Sequence, residues 1–471
     1  MSAVKLKNVR FTYEGQKSAA LDGVDFTLEY GELALLSGVS GSGKSTLMNI
    51  ICGIIPQVVK GRLEGDVYVD GKSVKGETMN SICRKVGVVL QNADAQIIQD
   101  RVETEIAFGP ENLGMPSERI KESVDNACER MQLDKNAFTR TLSGGQKQRL
   151  IAAAVLAMRQ KILILDEPLA NIDAKGARML MENLSRLAEC GYAVMIIEHR
   201  LDAVMHYADR VWHLENAQLY TVKDKYAYLS SRALNLKDSV GKILGQGNAF
   251  SLENVKYAVG KREILRGIDL DIPMGGRTLI TGENGCGKTT LTRIIARLVK
   301  PTSGEIRQYI SPKSRRANTK WFADVGVVYQ NPDYQLFMPT VKSEILFGAR
   351  DKNYALELAE RFCVTHLFDR HPHSLSEGQK RLVGVCAVLA TRPKVLLLDE
   401  PTVGQDYGGL ERMVGIINGI HVQTGNTLIT VTHDKRCADA LCDKAAIVSD
   451  GVISDIGGKE KARVFMDGNI S

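Results

Sequence analysis

The stretch LALLSGVSGSGKSTLMNII, residues 33–51, decides how the rest of the chain is read. Its first four residues, Leu33–Leu36, have the length and apolarity of a buried strand. A glycine-rich turn follows, and an apolar helix is expected from Lys44. The pattern GxxxxGK[ST] spans Gly38–Ser45. Its glycines let successive backbone N–H groups converge on an anion, with the helix N-terminus behind them. Lys44 would neutralise the β- and γ-phosphates of a nucleotide, and the Ser45 hydroxyl would ligate Mg²⁺. Taken alone, the segment is also compatible with a plain glycine turn before a helix.

The repeat removes that ambiguity. GVSGSGKST (38–46) recurs as GENGCGKTT (282–290), VGVVLQNADAQ (86–96) as VGVVYQNPDYQ (325–335), and EIAFG (105–109) as EILFG (344–348). TLSGGQKQRL (141–150) recurs as SLSEGQKRLV (374–383), KILILDEP (161–168) as KVLLLDEP (394–401), and IIEH (196–199) as TVTH (430–433). The offset is 244 between Lys44 and Lys288, 239 between Gln91 and Gln330, 233 between Asp166 and Asp399, and 234 between His199 and His433. The same order at a nearly fixed offset means that a whole domain was duplicated. The expected division is one domain over 2–225, a linker over 226–247 and a second domain over 248–471. In each, apolar strands alternate with helical stretches such as Ser117–Met131, which argues for a mainly parallel sheet covered on both faces.

In both halves an acid pair follows four apolar residues. Such a strand delivers Asp166-Glu167 and Asp399-Glu400 to its C-terminal end, where doubly wound sheets bind ligands. The first acid of each pair would hold Mg²⁺ through water; the second would polarise an attacking water as general base. Leu142-Ser143-Gly144-Gly145-Gln146 and Leu375-Ser376-Glu377-Gly378-Gln379 each precede a helix. Ser143 and Ser376 are good helix caps, and serine plus glycine at a helix start also offers a hydroxyl and free N–H groups to an anion.

LSGGQ at 142–146, with the phosphate loops and acid pairs in this order, resembles the ATP-binding-cassette (ABC) ATPases over nearly the whole chain. The resemblance implies an α/β protein of two tandem P-loop ABC ATPase domains. Each would have a mainly parallel sheet core, an antiparallel β part and a helical subdomain. It implies ATP as substrate, Mg²⁺ as cofactor, and an intramolecular pseudo-dimer in which each half's signature closes on the other's ATP. The residues expected at one site are Gly38, Ser40, Gly41, Gly43, Lys44, Ser45, Thr46, Gln91, Asp166, Glu167 and His199, with Ser376 and Gly378 from the opposite half. The other site would combine Gly282, Asn284, Gly285, Gly287, Lys288, Thr289, Thr290, Gln330, Asp399, Glu400 and His433 with Ser143 and Gly145. Gln91 and Gln330 would join Ser45, Thr289 and the two aspartates around the metal. His199 and His433 match the family's switch histidine, and Asp173 and Asp406 its interface loop. Tyr13 matches the aromatic that stacks on adenine; its counterpart is Val259, with Tyr257 two residues earlier on the same strand face.

The composition fits a soluble globular protein: 44% hydrophobic, 25% charged, 61 Lys+Arg against 55 Asp+Glu. A net charge of +6 is too small and scattered to imply nucleic-acid binding. The nine cysteines include no CxxC pair, which argues against zinc or a disulfide framework; Cys52, Cys190 and Cys386 are expected in the core. There is no signal-peptide core and no run of about eighteen apolar residues, so crossing a membrane would need another subunit.

QNADAQIIQDRVETEIAFGPENLGMP after Leu90 and QNPDYQLFMPTVKSEILFG after Tyr329 resemble the region where energy-coupling-factor and cobalt-type importers meet their transmembrane subunit. That likeness implies an ATPase on the cytoplasmic face of the cell membrane. Its partners would be integral membrane transporter subunits and a separate substrate-binding membrane protein, for a vitamin, metal ion or other micronutrient. Asp94 and Asp333 would be acids available to a basic partner residue. The rival readings are a tandem sugar-importer ATPase and a soluble translation factor.

Overall fold

The computed structural model describes residues 2–90, 93–142, 144–170, 172–232, 247–310 and 319–467. The chain divides into two compact units after Arg232. The helix Lys225–Ser230 belongs to the first unit, so the first residues of the expected linker are helical. Residues 233–246 of that linker lie outside the described residues.

Each unit contains a six-stranded sheet. In the first the order is Gln218–Thr221, Arg210–Glu215, Leu33–Gly38, Ala193–Ile197, Ile162–Asp166, Val86–Val89. All pairings are parallel except that of the Gln218–Thr221 edge. The second unit repeats the arrangement: Val452–Gly457, Lys444–Ser449, Arg277–Gly282, Thr427–Val431, Val395–Asp399, Val325–Val328, again with one antiparallel edge. Leu33–Gly38 and Arg277–Gly282 are buried throughout. Strands enclosed on both faces have no polar side to alternate with, hence the continuous apolar runs.

A smaller antiparallel sheet lies in each unit, ordered Leu21–Glu29, Ser2–Tyr13, Gly61–Val69, Lys72–Ser73 in the first and Arg262–Pro273, Asn248–Val259, Ser303–Gln308 in the second. Here burial alternates: along Leu21–Glu29, Leu21, Val24, Phe26 and Leu28 face inward.

The helical part is built on the helix that begins at the signature. Gly144–Ala157 packs on Val102–Asn112 and on Ser117–Met131. The latter buries Val124, Ala127, Cys128 and Met131, at the three- and four-residue spacing of one helix face. Glu377–Ala390 packs likewise on Val341–Leu346 and Lys352–Arg361. Cys52 and Cys386 are buried as expected, but Cys190 is exposed. It caps the C-terminus of Ala174–Glu189, where the chain turns outward through Gly191 at φ 85°. Helical context alone therefore misplaced it.

Candidate functional site

The phosphate loops form where a central strand ends and a helix starts, at Lys44–Ile51 and Lys288–Ile295. At the strand ends, Gly38 and Gly282 have φ of 157° and 155°. A Cβ on Gly38 would lie 2.2 Å from the Leu214 carbonyl oxygen, and on Gly282 2.1 Å from that of Val448. Only glycine fits beside the neighbouring strand at either position. Lys44 Nζ donates to the carbonyls of Gly38 and Val39, both at 2.9 Å. Lys288 Nζ donates to Gly282 at 2.7 Å and Glu283 at 2.8 Å. Both ammonium groups are thus held across the mouth of their loops.

Asp166 and Asp399 end the adjacent strands. Burial raises the Asp166 carboxyl to about 6; Lys44 opposes the rise and Glu198 adds to it. Burial raises Asp399 too, against a hydrogen bond from Thr289 and the charge of Lys288. Asp399 Oδ1 is buried without a hydrogen-bond partner among the described residues. A buried carboxylate beside a phosphate loop, with one oxygen unsatisfied, fits a divalent cation bound directly or through water.

The following acids share an unusual backbone. Glu167 and Glu400 lie at φ 48° and 47°. Their amides donate to Ile197 O and Val431 O, both at 2.8 Å, which fixes the turn against the next strand. That strand carries the histidine. His199 Nε2 stands 3.5 Å from Glu167 Oε1, and His433 Nε2 stands 3.5 Å from Glu400 Oε1. The structure therefore brings lysine, aspartate, glutamate and histidine to one sheet end in each unit.

Ser376 caps Glu377–Ala390 in a capping box with Gln379. A Cβ on Gly378 would lie 2.5 Å from the Gly404 carbonyl oxygen, so this glycine also permits close packing within its own unit. Ser143 and Gln91 lie outside the described residues. Asp173 and Asp406 cap the next helices through the amides of Gly176 (2.8 Å) and Gly409 (2.6 Å). The Tyr13 hydroxyl lies 2.8 Å from Thr46 Oγ1, tying the aromatic to the phosphate-loop helix. Val259 is exposed at the corresponding strand end, and Tyr257 packs partly into the core.

Several supporting residues carry no motif of their own. Buried Arg381 donates to Glu400 O and Gln330 O, both at 2.7 Å, joining the acid turn to the glutamine segment. Gln96 accepts from Leu90 N at 2.7 Å, and Gln335 from Tyr329 N at 3.0 Å, closing the loop after each glutamine. Buried Glu105 takes the amides of Ile98 and Gln99, and buried Glu344 those of Phe337 and Met338, at 2.6–2.8 Å. Gln96 with Gln335 and Glu105 with Glu344 recur in the repeated strings, which was their one available signal; Arg381, opposite Gln148, does not recur. Asp333 differs from expectation. Its Oδ1 already accepts from Lys380 at 2.9 Å and lies 3.1 Å from His373 Nδ1, so it is not an acid awaiting its first basic partner. The Asp94 side chain lies outside what is described.

The family model described as ABC transporter matches residues 21–170 and 265–403. A Methanosarcina mazei protein named as a candidate ABC transporter ATP-binding protein is 31% identical, over 96% of this chain and 88% of its own length. A Bacillus subtilis protein named as a candidate HMP/thiamine import ATP-binding protein, YkoD, is 32% identical over 94% of this chain and 89% of its own. Among solved structures, one titled RNase-L Inhibitor superposes with a TM-score of 0.68 at 19% identity, over 98% of this chain and 92% of that one. An archaeal ribosome recycling factor, aABCE1, gives 0.67 at 20% identity over 95% and 90%. At such identities the structural likeness speaks for the fold. The two matched segments, the full-length relatives and the twice-built site together make this chain a member of the ABC transporter family, a tandem ATP-binding-cassette ATPase.

Proposed function

We propose that the chain is the ATP-hydrolysing subunit of a membrane importer of the energy-coupling-factor type, with two composite ATP sites. In each site the lysine and the loop amides hold the phosphates. The aspartate, the loop hydroxyl (Ser45 or Thr289) and the glutamine (Gln91 or Gln330) hold Mg²⁺. Bound there, Mg²⁺ neutralises charge on the transferring phosphoryl group. Glu167 and Glu400 polarise the attacking water, oriented by His199 and His433. Ser143, Gly145, Ser376 and Gly378 complete the opposite half's site.

One observation carries the transport reading. After Gln330, Tyr334 (71% exposed), Phe337 (63%) and Phe347 (54%) present aromatic rings to solvent, with Phe337 and Phe347 edge to face at 5.1 Å. Buried Glu344 holds the backbone beneath them. In the first unit Ile98 is 65% exposed at the corresponding position. Rigid, exposed apolar side chains on a preorganised loop suit the groove-docking of an apolar helix. Among the described residues no helix is long and apolar enough to cross a membrane. The name of the Bacillus relative supports a small organic nutrient as the class of cargo.

The test replaces Tyr334 and Phe337 with aspartate and follows the protein into the membrane fraction of cells expressing the native partner genes. Release from membranes with ATP binding intact is expected. Full retention would move docking elsewhere and favour the sugar-importer reading; absence of the native chain from membranes would favour a soluble translation role.

A further inference from the structure

The two units support the same acid–histidine pair in different ways, and the first uses two charged residues, Glu198 and Arg200. Glu198 precedes His199 and is 2% exposed. Its Oε1 accepts from Leu169 N at 3.0 Å, in the loop after Glu167. Its Oε2 accepts from His199 N at 2.7 Å and Arg200 N at 2.9 Å. Arg200 reaches back across the same gap, donating to Leu169 O at 3.1 Å and Ile172 O at 3.0 Å. Five hydrogen bonds thus converge on one corner, all of them to backbone groups of the acid loop or the histidine segment, in a buried to half-buried setting.

The second unit has Thr432 and Asp434 at these positions. There Thr432 Oγ1 lies 3.4 Å from Thr402 Oγ1, Thr402 being the counterpart of Leu169. The His433 amide donates to the catalytic acid itself, Glu400 Oε2, at 3.4 Å. Asp434 accepts from Arg436 at 2.7 Å. The amide of His199, by contrast, is taken by Glu198.

We propose that Glu198 and Arg200 are positioning residues of the first unit, a clamp that makes the histidine segment and the loop after Glu167 move as one body. The hydrogen bonds of the clamp run to the loop after Glu167 and to the histidine segment. It acts through His199 and Glu167, so it governs turnover more than binding. The proposal rests on the assignment of Glu167 as the base, which Glu167→Gln tests separately: full activity of that variant would refute the base, whatever Glu198 does.

Glu198→Ala in the full-length chain should lower kcat about tenfold while the KM for Mg-ATP changes less than twofold. Arg200→Ala, which is less buried and leaves Glu198 in place, should lower kcat in the same direction and serves alone if Glu198→Ala does not fold. Rebuilding the second unit's hydroxyl pair, Leu169→Thr with Glu198→Thr, should recover most of the lost kcat, because it reconnects the two segments by other means. Native kcat in Glu198→Ala or Arg200→Ala would overturn the clamp. So would a rise in KM matching the fall in kcat, which would indicate a nucleotide-binding defect. Failure of a folded threonine pair to recover activity would overturn the positioning role as well.

Discussion

The two units agree in the groups proposed to face the nucleotide and disagree in the layer behind them. In both, the loop lysine bonds two carbonyls, the acid sits near φ 47° and the histidine stands 3.5 Å from it. Behind these, the first unit relies on Glu198 and Arg200. The second relies on Arg381, bonded to Glu400 O and Gln330 O, and on Gln405, bonded to Gly378 O at 2.8 Å. The position of Arg381 is Gln148 in the first unit. The chemistry dictates which atoms meet phosphate and water. The supporting layer needs only to satisfy the same backbone groups, and several sets of donors and acceptors can do so.

The largest expected effect asks whether the facing groups are equivalent. Glu167→Gln with Glu400→Gln should bind ATP yet lose about a hundredfold or more of steady-state turnover. Comparing the two single variants then ranks the sites, and a native rate in the double variant would end the comparison. Next is Arg381→Gln, which installs the first unit's residue in the second. It leaves the Glu400 and Gln330 carbonyls without their charged donor in a buried corner. A loss of about 3 kcal/mol in urea unfolding is expected, and a loss under about 0.5 kcal/mol would show that the two layers are interchangeable residue by residue.

A smaller effect concerns the adenine. Val259→Tyr should tighten nucleotide binding by about 1 kcal/mol, read by titration in a Lys44→Ala background where the second unit's loop is intact. Unchanged affinity would mean that Tyr257 already serves. The smallest effect is a pH dependence. Burial would raise the Asp333 carboxyl, but Lys380 and then His373 outweigh it and hold the group below its ordinary range. A lowered acid stabilises the fold above its unfolded pKa, and that contribution is lost as pH falls through the folded value. Asp333→Asn should therefore lower Tm slightly at pH 7 and not at all near pH 2. An equal shift at both would assign the effect to packing.

Much of this was legible in the sequence because phosphate binding and water activation restrict residue type and spacing together. Gly38, Lys44, Asp166 and Glu167 stand where the strings put them, as do their counterparts. What stayed hidden depends on backbone groups distant in sequence. Nothing near Glu198 announces that Leu169 N, 29 residues away, will need an acceptor, and Arg381 meets Gln330 O only after the helix has docked. Asp333 read as an open acid because Lys380 is 47 residues away. Cys190 shows the converse error: a helical neighbourhood was taken for burial, though the helix was ending.

The left-handed turn at Glu167 and Glu400 has a consequence for how such a duplicated gene can drift. A glutamate there carries backbone strain of about 1–3 kcal/mol that glycine would shed and asparagine would ease. Relaxing the acid therefore offers either copy a gain in stability at the expense of catalysis. A copy released from the need to hydrolyse ATP would slide downhill toward a nucleotide-binding domain that no longer turns over. Decay to one working site is thus the thermodynamically easy path for this architecture, and two intact glutamates stand against that slope.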